Sequence, residues 1–418
     1  LENAVVAIAA PSSPFAVTSI VLSMCMIAIG NGLLFAYIPV KLAAVGFQPW
    51  VAGAMLTAMS AGGIAGCLLT GRMVRAVGHA RVFASLASLL AFSVMLIALG
   101  TDVSLWLVSR IVYGVSATGL FIVSQSWLND AVGNALRGRV IAVFYMSYVL
   151  GLGLGSHLLT YISLDGVRAP LLTIAFITLA ILPVGLTRLP PPPPPEEISI
   201  AFRSVWRISP VALVALSCVG GLTLLVQGFA PIYASAAGYA KDDVAALLLF
   251  MQLGMIVIQL PLGWLSDQID RRWVLILATI ILIAGAAAAT RANGADLIWL
   301  IAIFALWAGA TETLYSVATA HANDRADPQY YVSLSATLLI AWSVSGFLLP
   351  GLATALTPVL GPQAFMFVTI VVGIGFAGFV VWRVIHKDPV PDEETEPFQA
   401  ISAQAPHTPE LAPQSTDY

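Results

Sequence analysis

The sequence predicts an all-α membrane protein with twelve transmembrane helices in two pseudo-symmetric six-helix bundles. Three observations carry this expectation. The 418-residue chain is 59% hydrophobic and only 9% charged, with a mean hydropathy of +0.93, whereas soluble domains carry about 25% charged residues. Apolar runs of the ~20 residues that cross a bilayer as a helix follow one another along the chain. The second half repeats the first at a nearly constant offset.

The spans in order are 15–43, 50–71, 80–100, 103–128, 139–162, 168–187, 209–236, 243–265, 273–292, 296–321, 330–356 and 362–385. The first is too long for a signal-peptide core and lacks a basic leader, so it is read as a true span. Gly and Pro recur inside the runs, as is ordinary where neighbouring helices re-satisfy freed backbone groups. The runs are continuously apolar rather than alternating, which excludes a β-barrel. The chain then divides into an N-terminal segment 1–14, a bundle 15–187, a linker 188–208, a bundle 209–385 and a tail 386–418. The linker opens with "RLPPPPPPEE", whose prolines Pro190–Pro195 impose extended polyproline II. The tail is Pro-rich and acidic and is expected to be disordered.

Orientation follows from the 18 Lys and Arg, which concentrate on cytoplasmic loops. With both termini inside, thirteen face the cytoplasm and only Lys41, Arg168, Lys241 and Arg291 face out, leaving Arg110 within the membrane. Cys25, Cys67 and Cys218 all fall inside spans, with no disulfide framework or metal spacing. The sequence has no phosphate-binding loop and no Ser-His-Asp arrangement. No cofactor, no enzymatic activity and no nucleic-acid partner is expected.

The halves align at offset 192. "PVKLAAVGF" (39–47) meets "PIYASAAGY" (231–239), and "GRMVRAVGH" (71–79) meets "GWLSDQIDR" (263–271). "IVSQSWLND" (122–130) meets "SVATAHAND" (316–324) at offset 194. Six helices repeated in parallel make two bundles around a midplane site.

"GWLSDQIDRR" (263–272) packs four charges into ten residues of an apolar chain. It resembles the signature G-x-x-x-D-R/K-x-G-R/K-R/K of the major facilitator superfamily, matching at Gly263, Asp267, Arg271 and Arg272 and departing at Gln268 and Asp270. The first copy keeps Gly71 and Gly78 but has Arg75 in place of the acid and His79 in place of a base. "RIVYG" (110–114) is similar to that family's R-x-x-x-G of its fourth span. "GNGLLFAYIPVKL", "RAVGHARVF", "SQSWLND" and "LSDQIDRR" resemble the bacterial YcaD-type branch. The resemblance covers about residues 15–385. It implies a bacterial inner-membrane transporter, a monomer in the lipid bilayer that moves a small organic solute by rocker-switch alternating access. It also implies that the charged loop is a cytoplasmic latch between the bundles. Within it, Gly263 is expected to make the turn, Asp267 to face a helix N-terminus, and Arg271 or Arg272 to pair with Asp324 in an exposed, weak ion pair. Asp130 is the counterpart of Asp324 in the first bundle.

An ionisable group deep in the bilayer costs at least ~2.5–3.5 kcal/mol and is a functional candidate by default. Glu312 is the one carboxylate deep within a span. Tyr315, Ser316 and Thr319 continue its helix face. Arg110 shares a face with Thr118 and Gln125. Spans 1, 4, 7 and 10 line the cavity in this family, which adds Asn31, Thr223 and Gln227; Asn31 and Thr223 are again 192 apart. Tyr145, Tyr148 and Ser156 of span 5 are candidates for an aromatic cavity wall. A Glu pulled up by desolvation and down by a nearby cation can bind and release a proton. Glu312 is therefore expected to face the central cavity as the proton-coupling site, with Arg110 as partner or substrate anchor. His157 and His321 are secondary titrating candidates. "GLGLGS" (151–156) places Gly151 and Gly155 four apart, a spacing that lets helices approach closely. Trp127 is expected to anchor the membrane interface. The alternatives are a uniporter, or a non-transporting protein of the same fold such as an assembly factor or receptor, for which a sealed apolar centre would speak.

Overall fold

A computed structural model describes residues 14–132, 134–187, 200–292, 294–326 and 331–386. The polyproline run, most of the tail and residues 1–13 lie outside the described residues. Among the described residues there is no strand, and eleven apolar helical segments are long enough to cross a bilayer. The last of these, Ser333–His386, holds two helices, so the crossings number twelve.

In the first half, α1 (Pro14–Ala44), α2 (Pro49–Val77), α3 (His79–Ala98), α4 (Val103–Ala131) and α5 (Asn134–Leu158) each supply one span. The sixth is α6 (Arg168–Leu179) followed by α7 (Ile181–Leu186). A short helix, α8 (Phe202–Ile208), closes the linker. The second half contains α9 (Pro210–Ala236), α10 (Lys241–Ser266), α11 (Arg271–Ala289), α12 (Leu297–Asn323), α13 (Tyr331–Leu360) and α14 (Ala364–His386).

The repeat is physical. Pro39 in α1 and Pro231 in α9 each stand five residues before their helix ends, where a missing N–H costs a ladder bond. Each helix then ends on a left-handed glycine, Gly46 at φ 86° and Gly238 at φ 85°. The amides of Phe47 and Tyr239 bond back to Leu42 O at 3.0 Å and Ala234 O at 3.1 Å. Only glycine takes that backbone conformation without strain.

Packing repeats as well. α1 lies on α5 and α6, α2 on α4, and α3 on α4 and α6; correspondingly α9 lies on α13 and α14, α10 on α12, and α11 on α12 and α14. Glycines bring main chains together inside the first bundle. A Cβ on Gly155 would lie 1.9 Å from Ile29 O, and one on Gly32 2.0 Å from Leu152 O. Gly62 and Gly114 interlock α2 and α4 in the same way. Gly151 abuts Ala28 and Cys25 of α1, so "GLGLGS" is a packing stripe. The second bundle adds an aromatic core in which Trp307 and Phe365 stack at 5.5 Å, with Phe304 and Tyr233 beside them.

The bundles meet along two symmetry-related seams, α2 against α13 and α5 against α10, with α1 facing α9. At the end where α10 begins, Lys241 Nζ donates to Ile162 O at 2.8 Å and Thr160 O at 3.1 Å, just beyond α5.

Candidate functional site

Between the bundles, near mid-span, lies a cavity of about 160 Å³ walled by α1, α2, α4, α5, α9 and α13. Asn31, Thr118, Tyr148, Thr223 and Gln227 line it, as their sequence positions suggest. Asn31 and Thr223, the pair 192 apart, both sit on this wall. Asn31 Nδ2 donates to Tyr148 Oη at 3.5 Å, and Gln252 Nε2 of α10 donates to Gln227 Oε1 at 3.0 Å. Aromatic and aliphatic residues make most of the surface: Phe35, Tyr113, Phe121, Leu152 and Trp342. Where α2 meets α13, Cys67 Sγ lies 3.7 Å from Ser343 Oγ, and both residues face the cavity. Tyr113, Trp342 and Ser343 were not expected. Tyr113 shares a helix with Arg110 and Thr118, but span 11 is not one of the four that family resemblance assigns to the cavity.

Arg110 and Glu312 are corrected. Neither lines the central cavity. Arg110, 3% exposed, lies over the Tyr113 ring, its guanidinium carbon 3.8 Å from the centroid. It borders a smaller cavity of about 20 Å³ that shares Phe35 and Gly228 with the central one. Its nearest charge-complementary surface is thus an aromatic face, not Glu312. Glu312 is 2% exposed on α12. Gly309, one turn earlier, lets α12 press on Ile258 of α10, where a Cβ would come within 2.5 Å. Gln259 Nε2 of α10 then donates to Ser316 Oγ at 2.6 Å. Glu312 and Tyr315 lie within electrostatic reach of Tyr145 on α5, across the bundle interface. Gln125 Nε2 in turn donates to Tyr145 Oη at 2.9 Å. Gln125, Tyr145, Tyr315, Ser316 and Thr319 are not among the residues that line the cavity; Thr319 Oγ1 donates to Tyr315 O. Ser156 Oγ donates to Gly153 O at 2.7 Å, also off the cavity.

The charged loop is built differently from expectation in three respects. Gly263 is buried inside α10, and the turn spans Asp267 to Asp270. Asp270 rather than Asp267 caps α11, accepting from Arg272 N at 2.9 Å. Its carboxylate also receives Arg272 Nη2 at 2.6 Å. Burial raises the Asp270 pKa, but the hydrogen bonds from the Arg272 side chain and backbone outweigh it and hold the net value below the ordinary 3.8. Arg271 pairs with Asp324, as the repeat suggests, Nε to Oδ2 at 2.7 Å. That pair is buried, at 3% and 1% side-chain exposure, not exposed. It joins α11 to α12 within the second bundle, so it is not itself a bridge between bundles. Arg271 Nη1 also lies 3.9 Å from Asp267. In the first copy Gly71 is inside α2 and Arg75 is exposed, while Gly78, at φ 82°, makes the turn. The Asp130 side chain lies outside the described ones.

Trp127 is no interfacial anchor. It is 2% exposed, packed between His79 and Phe83 at ring distances of 5.7 and 6.2 Å. His79 Nε2 and Ser126 Oγ share a hydrogen bond of 2.9 Å beside it. The ring fills the α3–α4 seam, where apolar area is worth more than at an interface. His157 makes an edge contact with Tyr161. His321 is buried at the end of α12, near Asp270 and the arginines.

The family model described as Major Facilitator Superfamily matches residues 20–258 and 237–412. The chain belongs to the Major Facilitator Superfamily. It is a multi-pass membrane protein of a transporter family. Relatives described as the uncharacterized MFS-type transporter YcaD, from Salmonella enteritidis and Salmonella typhi, are 26% identical over 338 residues, 80% of this chain and 86% of theirs. A point mutant of the nucleoside transporter NupG superposes with a TM-score of 0.70 at 11% identity. The human organic anion transporter MFSD10 does so with 0.63 at 16% identity. Each comparison covers 88% of this chain and 100% of the other. At such identities the likeness is one of fold.

Proposed function

We propose that this superfamily member is a secondary transporter of a small organic solute, working by alternating access in the bacterial inner membrane with both termini cytoplasmic. The observation that carries this reading is the cavity near mid-span, walled by both bundles and holding polar side chains of each, Asn31 from one and Thr223 from the other. A static scaffold has no use for polar groups in such a place. In this orientation the Lys241 contact lies on the outer side and the Arg271–Asp324 pair on the cytoplasmic side.

The proton gradient is the proposed drive, and Glu312 the proposed coupling residue. Its place within reach of Tyr145 on the opposite bundle supports the reading: a proton gained or lost there changes how the bundles attract each other. Arg110 acts through Tyr113, whose ring it covers.

Cys67 supplies a native test, since it lines the cavity. With Cys25 and Cys218 replaced by Ala, Cys67 should react with a membrane-impermeant maleimide in both right-side-out and inside-out vesicles. Reaction from one side only would count against alternating access.

A further inference from the structure

The wall of the central cavity carries no Asp, Glu, Lys, Arg or His among the described residues. Arg110 lies over the Tyr113 ring and Glu312 within electrostatic reach of Tyr145 on α5; neither is among the residues that line this space. A charged ligand entering this space would shed its hydration without meeting an opposite charge, which is strongly unfavourable.

The same wall has unmet hydrogen-bonding capacity. Asn31 Oδ1, Thr223 Oγ1 and Trp342 Nε1 are buried, and no hydrogen bond satisfies them. Their residues all line the cavity. Asn31 Oδ1 can only accept, Trp342 Nε1 can only donate, and the Thr223 hydroxyl can do either. A buried polar atom without a partner is costly, so a ligand that supplies one gains twice, by its own bond and by relieving the wall. Phe35, Phe121 and Trp342 offer faces on which a flat ring can pack.

We propose that the ligand class is uncharged: a small aromatic or heteroaromatic molecule bearing both a hydrogen-bond donor and an acceptor, held between Asn31 and Thr223 with Trp342 against its ring. The assignment rests on the transporter reading above. It divides the labour in this chain. The cavity recognises a neutral solute, and the buried charges outside it serve the bundles' motion.

The test uses four indoles that share a ring and differ in the side group. Indole-3-acetamide is neutral with a donor and an acceptor. Indole-3-acetate is an anion, tryptamine a cation at neutral pH, and 3-methylindole lacks the polar group. Binding to the full-length protein in lipid nanodiscs is measured by equilibrium dialysis. The amide should bind tightest. Thr223→Val and Trp342→Phe should each weaken it roughly tenfold, the loss expected for one buried hydrogen bond, while Thr223→Ser, which keeps the hydroxyl, restores it. Equal or tighter binding of the acetate overturns the assignment and shifts recognition to Arg110. Equal or tighter binding of tryptamine shifts it to Glu312. No binding of the amide, or binding indifferent to both substitutions, also overturns it. The Cys67 labelling needs no ligand, so the transporter reading stands or falls separately.

Discussion

Lys241 Nζ, in the first turn of α10, lies 2.8 Å from the main-chain oxygen of Ile162, on the other bundle. The same ammonium reaches Thr160 O at 3.1 Å and Leu159 O at 3.4 Å. Lys41, at the end of α1, holds Leu164 O of that segment at 2.9 Å. These carbonyls follow the C-terminus of α5, whose negative dipole end favours a nearby cation, and two ammonium groups converge there. One of them crosses between bundles.

Lys241→Met should loosen that end of the molecule. Hydrogen bonds from a charged donor contribute about 1.5–3 kcal/mol when buried and less when partly exposed, so a shift of roughly 1 kcal/mol toward an arrangement open at that end is expected. Spin labels at Tyr161 and Asp242 should report longer distances in the variant. An unchanged distance distribution would show that the clasp does not hold the end shut.

Asp324→Asn should be strongly destabilising. It leaves Arg271 buried without its partner carboxylate, and breaking such a pair typically costs about 3–5 kcal/mol. Thermal unfolding in detergent should show a large drop in Tm. Arg271→Met added to Asp324→Asn should recover part of it, because the stranded charge is then gone.

Asp270 gives a pH signature. Its folded pKa lies below 3.8, so between the folded and unfolded values the unfolded chain binds more protons. Its contribution is therefore fully present above the unfolded value and lost as pH falls through the folded one. As pH falls from about 5 through 3.8 and below, wild type should lose stability more steeply than Asp270→Asn. Parallel curves would remove Asp270 from the acid response.

Glu312→Gln fixes the neutral form of the proposed coupling residue. In proteoliposomes loaded with indole-3-acetamide, the variant should retain exchange across the membrane but fail to accumulate the amide under an imposed pH gradient. Accumulation equal to wild type would move the coupling role away from Glu312, with His157 and His321 next to be tried.

The sequence reading succeeded where local chemistry decides structure. Pro39 and Pro231, Gly46 and Gly238, and the pairing of Arg271 or Arg272 with Asp324 follow from the repeat, because a turn or an ion pair needs particular residues at particular spacings; the structure selects Arg271. It failed where rotation of a helix decides. Glu312 is expected in the cavity, but it is not among the residues that line it; how α12 is rotated is a tertiary fact with no periodic signal. Trp127 has the position of an anchor yet packs in the α3–α4 seam, and sequence does not distinguish the two. Lys241 was assigned only a side of the membrane, since its acceptors are backbone carbonyls that any residue can offer. Asp270, a departure from the family signature, became intelligible only as a cap. It holds the helix start that Gly78 reaches in the first copy by a left-handed turn.

The interlocked glycines have a mechanical meaning. Where Gly32 meets Leu152 and Gly62 meets Ile111, backbone touches backbone, and no rotamer change can relax such a contact. Between bundles, Gly53 meets the side chains of Thr354 and Phe229, and Gly228 meets that of Leu56, contacts that side-chain rotation can release. The first half is a stiff slab along these seams, Gly220 sets one such contact on Trp342 O in the second, and the joint between the halves is compliant. Force applied at one end of a slab thus arrives at its other end as tilt, without being absorbed as bending on the way.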